Sequence, residues 1–283
     1  MGYRFLRFPE GKEKAVTFSF DDGNKQDVQL AKLMTKYHLK CTFNFNNMLC
    51  EEDRISVEDA KTYIIDKGHE IAVHGYNHKA EGCIRPIEGI RDILECRLEL
   101  EQKFDRIIRG MAYPDFGIES IVEDVTYEQI KNYLKELDIV YARTLRSEKG
   151  DFRLPKDWHN WVPTTHYSNP EIMHYIDDFC GDKVKGWVHP ATKYPKLFFI
   201  WGHSYEFDSD NNWDVMEDIC KKFSTRQDIW FATNLEIYEY VTAYHSLVYS
   251  ADGQMIYNPS LLDIWFDIGG KGFCIQSGET LKL

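Results

Sequence analysis

The chain has 283 residues, 43% of them hydrophobic, so it can bury a sizeable core as two average domains or as one α/β barrel. A formal net charge of -12 argues against nucleic acid or an anionic membrane as a partner, because clustered Lys and Arg bind phosphate groups. No stretch approaches the ~20 apolar residues of a membrane span, and the first nine residues lack the apolar core of a secretory signal. We therefore expect a soluble, cytoplasmic protein.

Short runs of β-branched and aromatic residues alternate with segments of helical periodicity, a pattern typical of βα units and a parallel sheet. In chain order, strands are expected at residues 15–20, 40–45, 70–73, 110–113, 139–142, 197–201 and 229–232. The first helix follows from Leu30, Leu33, Met34 and Tyr37, which share one face. Further helices are expected around residues 56–66, 85–104, 126–137, 215–223 and 234–247, the last capped by Asn234.

Residues 150–195 interrupt this alternation with five prolines and three tryptophans, which predicts a long functional loop containing one helix. After residue 247 the pattern changes to short strands, expected at residues 254–257, 263–266 and 272–275 and separated by Gly and Asn-Pro turns. We expect a catalytic α/β region over residues 1–247 and a small β appendix over residues 248–283, too short to fold independently.

Polar residues follow several predicted strands directly, where ligands bind in parallel α/β folds. These residues are Asp21, Asp22, His74, His78, Arg143 and His203. Singly, an acidic pair before a glycine is usually a solvated turn, and a His-x-x-x-His pair usually lies on the surface or in a satisfied core. Their joint placement after several predicted strands indicates a metal site. A divalent metal held by Asp22, His74 and His78 would keep open positions for water and a substrate oxygen, as catalytic zinc requires.

Three segments resemble a known family in order and spacing. Residues 18–23 (FSFDDG), 74–78 (HGYNH) and 201–203 (WGH) are similar to the first, second and fifth motifs of the polysaccharide deacetylases, carbohydrate esterase family 4. The resemblance spans about residues 15–240. It implies a distorted (β/α) barrel of about seven parallel strands that removes acetyl groups from N-acetylated or O-acetylated sugars.

The resemblance also implies a role for each motif residue. Asp21 would be the catalytic base, Asp22, His74 and His78 the metal ligands, and His203 the catalytic acid. Zinc is the expected metal, with cobalt, nickel, manganese or iron as alternatives. These roles suit the chemistry, since the metal would activate water, Asp21 would take its proton, and a histidine would protonate the departing amine. A backbone N–H near Tyr113 would help to hold the oxyanion.

The third motif departs from the family pattern. The family commonly has an Arg two residues before the Pro, which steadies the catalytic Asp, whereas this chain has Ala112 before Pro114. Arg143, at the end of the next strand, is our candidate replacement, with a surface salt bridge as the alternative reading. Arg109 begins strand four and is expected to point to the opposite end. The group that orients His203 stays open between Glu206 and Asp208.

Several aromatic residues are candidates for contact with the substrate, because pyranose C–H faces pack on aromatic rings. Trp158, Trp161, Tyr167 and Trp201 are the candidate sugar platforms, and the alternative is that they anchor the long loop to the barrel. Tyr113 joins them as a residue beside the acetyl group. The expected partner is an acetylated sugar or oligosaccharide, and the sequence leaves the oligomeric state unknown.

Three rival interpretations remain. An Asp/His/His set also occurs in non-haem iron oxygenases, but those enzymes usually have all-β folds. A non-catalytic carbohydrate-binding relative would be expected to have lost Asp21 or a ligand. Hydrolysis of a non-sugar amide or ureide C–N bond on the same fold is the third, although such enzymes depart from the metal motifs that this chain retains.

Overall fold

A computed structural model describes residues 2–47, 53–121, 124–145, 151–181 and 193–283. Within these ranges the strands are β1 (Arg4–Arg7), β2 (Lys14–Asp21), β3 (Thr42–Phe45), β4 (Glu70–Val73), β5 (Gly110–Ala112), β6 (Tyr141–Arg143), β7 (Thr165–His166), β8 (Lys196–His203), β9 (Ile229–Phe231), β10 (Val248–Tyr249), β11 (Met255–Tyr257), β12 (Ile264–Ile268), β13 (Lys271–Ile275) and β14 (Thr280–Lys282). The third tryptophan of the long loop, Trp187, lies outside the described residues.

The α-helices of the same ranges are α1 (Asp27–Lys36), α2 (Val57–Asp59), α3 (Pro86–Phe104), α4 (Tyr127–Glu136), α5 (Ile172–Cys180), α6 (Glu206–Ser209), α7 (Trp213–Ser224) and α8 (Asn234–His245). The short helix α2 continues as a π-helical turn and a 3-10 turn, which together cover the helix predicted near residues 56–66. No helix among the described residues is both long enough and apolar enough to cross a membrane.

The main sheet contains eight strands within the described residues, all paired in parallel. Seven follow one another in the order β6-β5-β4-β3-β2-β8-β7, and β9 pairs with Lys14, Ala15 and Val16 at the start of β2. This sheet curls into a half-barrel, with helices between successive strands. The prediction of a distorted (β/α) barrel of about seven parallel strands is confirmed.

The central strand β2 has an apolar face and a polar face. Val16, Phe18 and Phe20 pack in the core cluster that also contains residues of α1 and α7. The alternate positions are polar and fully buried, and they are Thr17, Ser19 and Asp21. They bond to groups on other elements, since Asn44 of β3 donates to Ser19 and Asp21, and Thr17 donates to Asn234 of α8. Side chains alternate across a strand, so the inner face of the sheet carries a polar column that ends at Asp21.

Helix α8 closes the end of the barrel that lies opposite Asp21. Its N-terminal N–H groups are satisfied inside the barrel, where Asn234 N donates to Thr42 Oγ1 and Leu235 N donates to Glu70 Oε2, each at 2.9 Å. The predicted cap was wrong by one residue. Thr233 caps the helix in a reciprocal pair with Glu236, because the Asn234 side chain is already engaged by Thr17.

Two small antiparallel sheets complete the described structure, with strand orders β1-β12-β13 and β10-β11-β14. Strands β11, β12 and β13 were expected from the sequence, whereas β1, β7, β10 and β14 were not. Each of these four has two to four residues, and β1 pairs with β12 from the other end of the chain, which no local pattern reveals. The division of the chain at residue 247 stays a prediction.

Candidate active site

The C-terminal ends of three parallel strands bring polar residues together. Asp21, the last residue of β2, lies in register with Asn44 on β3 and with His203 on β8. His74 follows β4 directly, and its backbone N donates to the carbonyl oxygen of Phe45 at 2.8 Å, which continues the ladder beyond the strand. These positions meet at one edge of the sheet, as their placement after the strands predicts.

Asp22, His74 and His78 form a compact set of potential ligands. Asp22 Oδ1 lies 3.3 Å from His78 Nε2 and 3.6 Å from His74 Nε2. Asp22 adopts a positive φ of 81°, and Gly23 follows with a φ of 69°. The positive φ at Asp22 takes it off the line of β2, so that adjacent residues Asp21 and Asp22 occupy different places in the site.

The two imidazoles are fixed through their second nitrogens. His74 Nδ1 lies 2.9 Å from the Ala112 carbonyl oxygen, an acceptor, so Nδ1 carries the proton and the Nε2 lone pair faces Asp22. His78 Nδ1 lies 3.5 Å from Asp115 Oδ1, with Nε2 again toward Asp22. Metal-binding histidines commonly hold the other ring nitrogen in this way. Two imidazole nitrogens and one carboxylate oxygen therefore fit a divalent transition metal.

The loop that carries His78 is held from beneath by Asp92 of α3. Asp92 Oδ1 accepts hydrogen bonds from the backbone N of Asn77 at 2.9 Å and from its side-chain Nδ2 at 2.7 Å. Asp92 is 4% exposed, so these bonds form away from solvent competition. A side chain at Gly75 would meet Asp92 Oδ2 at 2.9 Å, which explains the glycine between the two histidines.

Electrostatics at the ligand set follow from burial and from the neighbouring charges. Burial lowers the pKa of His74, which favours the neutral imidazole that metal binding needs. Burial opposes ionisation of Asp22, but the hydrogen bond to His78 and the nearby histidines outweigh it, so the pKa of this carboxyl lies below its ordinary range. The same hydrogen bond raises the pKa of His78.

Asp21 occupies a separate, fully buried position beside the ligand set. Its Oδ1 accepts from Asn44 Nδ2 at 2.8 Å, and its Oδ2 is paired with the guanidinium of Arg143. The closest imidazole atom of the ligand set, His74 Nε2, is 4.0 Å from Oδ2. Arg143 is also fully buried, and its guanidinium stacks 4.8 Å from the ring centre of Trp201. Arg109, by contrast, pairs with Asp138 at 3.1 Å, away from Asp21.

His203 ends β8, which lies on the opposite side of β2 from β4, the strand that precedes His74. Its Nε2 is 4.0 Å from Asp21 Oδ2, and its Nδ1 is 3.2 Å from Glu206 Oε1. Burial disfavours the charged imidazole, but Glu206 and the two aspartates outweigh it and raise the pKa of His203. Of the two candidate partners, Glu206 contacts His203. Asp208 instead accepts from Gln26 Nε2 at 2.7 Å and from Trp213 Nε1 at 2.8 Å.

The residues expected to contact substrate lie in different places. The backbone N of Tyr113 already donates to the Arg143 carbonyl oxygen at 2.9 Å, and its hydroxyl donates to the His159 carbonyl oxygen, so the expected oxyanion donor is engaged. Trp161 is 2% exposed and packs against Trp158, which in turn packs against Tyr238 of α8. These contacts fit the alternative that the two tryptophans anchor the loop.

Tyr167 is likewise fully buried, against Phe20 and Phe207. Among the four candidate platforms, Trp201 is the one next to the catalytic candidates, between Arg143 and His166. Asn44 was not predicted as a site residue, although a polar residue between Phe43 and Phe45 is the signal that marks an inward position on a buried strand.

Comparison with known proteins bears on the first part of the chain. Residues 9–139 match the family model described as polysaccharide deacetylase. These residues belong to the polysaccharide deacetylase family. The deacetylase region contains Asp21, Asp22, His74 and His78, whereas Arg143 and His203 lie beyond it. No curated protein sequence matches the chain.

Solved structures share the deacetylase fold at low sequence identity. A candidate polysaccharide deacetylase from Mycobacterium smegmatis aligns with a TM-score of 0.59 and 15% identity, covering 87% of this chain and 96% of that one. The PuuE allantoinase aligns with a TM-score of 0.61 and 12% identity, over 84% and 93% of the two chains. A mutant of a carbohydrate esterase family 4 pseudoenzyme from Bacillus anthracis, with restored enzymatic activity, aligns with a TM-score of 0.50 and 13% identity. The alignment covers 83% of this chain and 70% of that one.

Relative to the deacetylase pattern, the cation beside Asp21 comes from a different strand. The position usually occupied by Arg is Ala112 on β5, and its carbonyl oxygen accepts from His74. Arg143, in register with Ala112 on the adjacent strand β6, supplies the guanidinium instead.

Proposed function

We propose that this chain is a metal-dependent hydrolase that removes acetyl groups from N-acetylated or O-acetylated sugars. The observation that carries the proposal is the position of Asp21. This carboxylate lies beside the Asp22, His74 and His78 set without joining it, and its Oδ2 is 4.0 Å from Nε2 of both His74 and His203. A spare carboxylate and a separate histidine are what acetyl transfer to water requires.

Asp22, His74 and His78 would hold the metal. Their two nitrogens and one oxygen suit zinc, and cobalt, nickel, manganese or iron accept the same donors. When bound, the metal supplies Lewis acidity, which lowers the pKa of water and polarises the acetyl carbonyl.

Asp21 is the proposed general base. Its two oxygens are fixed by Asn44 and Arg143, so the carboxylate is held rigidly beside both the ligand set and His203. A rigid carboxylate within reach of the attacking water takes up its proton without first reorienting. The guanidinium compensates the charge of a carboxylate that has no exposure to solvent.

His203 is the proposed general acid. Glu206 accepts from Nδ1, which leaves Nε2 directed toward Asp21 and the reaction centre. A departing amine or alkoxide leaves poorly without a proton, and Nε2 of a protonated imidazole delivers one on the opposite side of the carbonyl from the base. The raised pKa of His203 favours that protonated form.

One experiment tests the proposal. The purified protein is analysed for bound metal, and acetate release is measured from chito-oligosaccharides, peptidoglycan fragments and acetylated xylan. We expect about one equivalent of transition metal and acetate from at least one substrate, because the ligand set offers one such site. The absence of acetate from all three classes would contradict the proposal.

Hydrolysis of a non-sugar C–N bond is the second candidate, favoured by the fold shared with an allantoinase. Allantoin and simple N-acyl amides are therefore added as separate arms, with formation of the ring-opened product allantoate or release of amine as the measurement. Turnover of these compounds without acetate release from any sugar would replace the proposed substrate class. Metal without turnover in any arm would favour a non-catalytic carbohydrate-binding relative.

A further inference from the structure

A second histidine reaches the partner of His203 from the neighbouring strand. His166 ends β7, which pairs with β8 so that His166 lies in register with Trp201. Its Nε2 is 3.3 Å from Glu206 Oε2, whereas the imidazole of His203 contacts the other carboxylate oxygen, Oε1. Glu206 Oε2 also accepts from the backbone N of His203 at 3.3 Å.

The hydrogen bonds of His166 determine which ring nitrogen carries its proton. The backbone N–H of Ser168 donates to His166 Nδ1 at 3.3 Å, and the Ser168 hydroxyl lies 2.8 Å from the same nitrogen. A ring nitrogen that accepts from an N–H is unprotonated. Nε2 therefore carries the proton of the neutral imidazole and donates it to Glu206.

This tautomer distinguishes two explanations for the cluster of His166, His203 and Glu206. Their ligand atoms lie close enough together to hold a cation. A cation at His166 Nε2 would require a lone pair there, with the proton on Nδ1, where the Ser168 N–H already points. The arrangement instead matches a chain of hydrogen bonds from Ser168 through His166 and Glu206 to His203.

We propose that His166 is a positioning residue for the general acid, acting through Glu206. The inference rests on the proposed function, since it assigns His166 to the support of His203. Four hydrogen bonds then fix the carboxylate and its neighbours, and the Nδ1–H of His203 has a single orientation. Without His166, Glu206 Oε2 loses the side-chain donor from β7 and keeps the backbone N–H of His203, so the carboxylate is held less tightly.

The test uses two substitutions and two kinds of leaving group. His166→Phe removes the donor and keeps a ring, whereas His166→Gln keeps an N–H donor near the same place. We expect His166→Phe to lower kcat on the N-acetyl substrate about tenfold with little change in KM, on the scale of lost orienting hydrogen bonds. Hydrolysis of p-nitrophenyl acetate should change less than about twofold, because its leaving group departs without a proton. His166→Gln should restore most of the N-acetyl activity.

The matched control is His174, which forms another histidine–carboxylate pair with Asp178 at 3.5 Å on the exposed face of α5. His174→Phe should leave both activities unchanged. An equal loss on both substrates in His166→Phe would overturn the positioning role. Loss of a second equivalent of metal in His166→Phe would overturn it in favour of a cation site.

The tautomer provides a readout that does not depend on any activity. In ¹⁵N-labelled protein, long-range ¹H–¹⁵N spectra should show His166 with an unprotonated Nδ1 and a protonated Nε2. A protonated Nδ1 would overturn the inference even in an active enzyme. If no acetylated substrate is turned over, the proposed function fails. The spectrum still tests whether His166 donates a hydrogen bond to Glu206 through Nε2.

Discussion

Arg143 and Asp21 form a buried ion pair although three strands lie between theirs in the order of the sheet. Arg143 ends β6 and Asp21 ends β2, and both side chains are fully buried. A flat sheet would keep these strands about 19 Å apart, given about 4.8 Å between neighbours. The pair therefore spans the concave side of the curled sheet, and curvature is what lets Arg143 replace an arginine from β5.

Replacing Arg143 tests this relationship. Arg143→Met should lower kcat ~100-fold, because Asp21, the proposed base, is then no longer held by the guanidinium. The metal content should stay at the wild-type level because the ligand set is intact. Loss of one partner of a buried pair also costs about 3–5 kcal/mol of stability, which urea unfolding would detect.

Arg109→Met is the matched control, since Arg109 pairs with Asp138 and not with Asp21. Its turnover should equal that of the wild type. Arg143→Lys keeps the charge and should fold more stably than Arg143→Met while remaining impaired, because lysine lacks the planar guanidinium. An unchanged rate in Arg143→Met would contradict a role for Arg143 in holding the proposed base.

The two adjacent aspartates should respond differently to substitution. Asp22→Ala and His78→Ala each remove a proposed ligand, so both bound metal and activity should be lost. Asp21→Asn should retain the metal while losing most turnover, because the amide cannot accept the proton from water. Elemental analysis of the dialysed variants, paired with acetate release, measures both properties. Equal loss of metal in all three variants would contradict the separation of base and ligand.

The sequence was sufficient for the residues that come directly after strands. Asp21, Asp22, His74, His78 and His203 converge as predicted, because parallel strands bring their C-terminal ends to one edge. Their chemical roles stay proposals. Arg143 was also found in this way, although only the curl of the sheet explains how it reaches Asp21.

The sequence was insufficient where a contact depends on packing between distant segments. Trp158 and Trp161 look like sugar platforms in a loop, but packing against nearby aromatic residues and α8 buries Trp161 and leaves Trp158 partly exposed. Tyr113 has an N–H in the expected place, yet pairing between β5 and β6 continues one residue further and engages it. His166 belongs to a two-residue strand in a proline-rich segment, where no periodicity exists to reveal it.

Substitutions can distinguish the role of Glu206, which contacts His203, from that of Asp208, two residues further along the chain. Glu206→Gln keeps an acceptor for Nδ1 but removes the negative charge that favours the imidazolium, so kcat on N-acetyl substrates should fall ~10-fold or more. Asp208→Asn changes a carboxylate two residues away that contacts Gln26 and Trp213, and it should leave kcat unchanged. Equal effects of both substitutions would show that Glu206 acts only through the stability of α6.

At the opposite end of the barrel, Glu70 should make stability depend on pH. Burial raises the pKa of Glu70 to about 7 from an ordinary value of 4.5, against hydrogen bonds from Leu235 N, Tyr141 and Thr42. A carboxyl with a raised folded pKa contributes its full stability below the unfolded value and loses it as pH rises through the folded value.

The free energy of unfolding should therefore fall by up to about 3 kcal/mol between pH 4.5 and pH 8 through this group alone. Glu70→Gln has no proton to lose, so its stability relative to the wild type should rise across that interval. Urea unfolding at several pH values measures the difference, and Glu136→Gln on the exposed face of α4 is the control. A stability difference between Glu70→Gln and the wild type that does not change with pH would mean that Glu70 stays ionised inside the barrel, where the N-terminal N–H groups of α8 would then hold its charge.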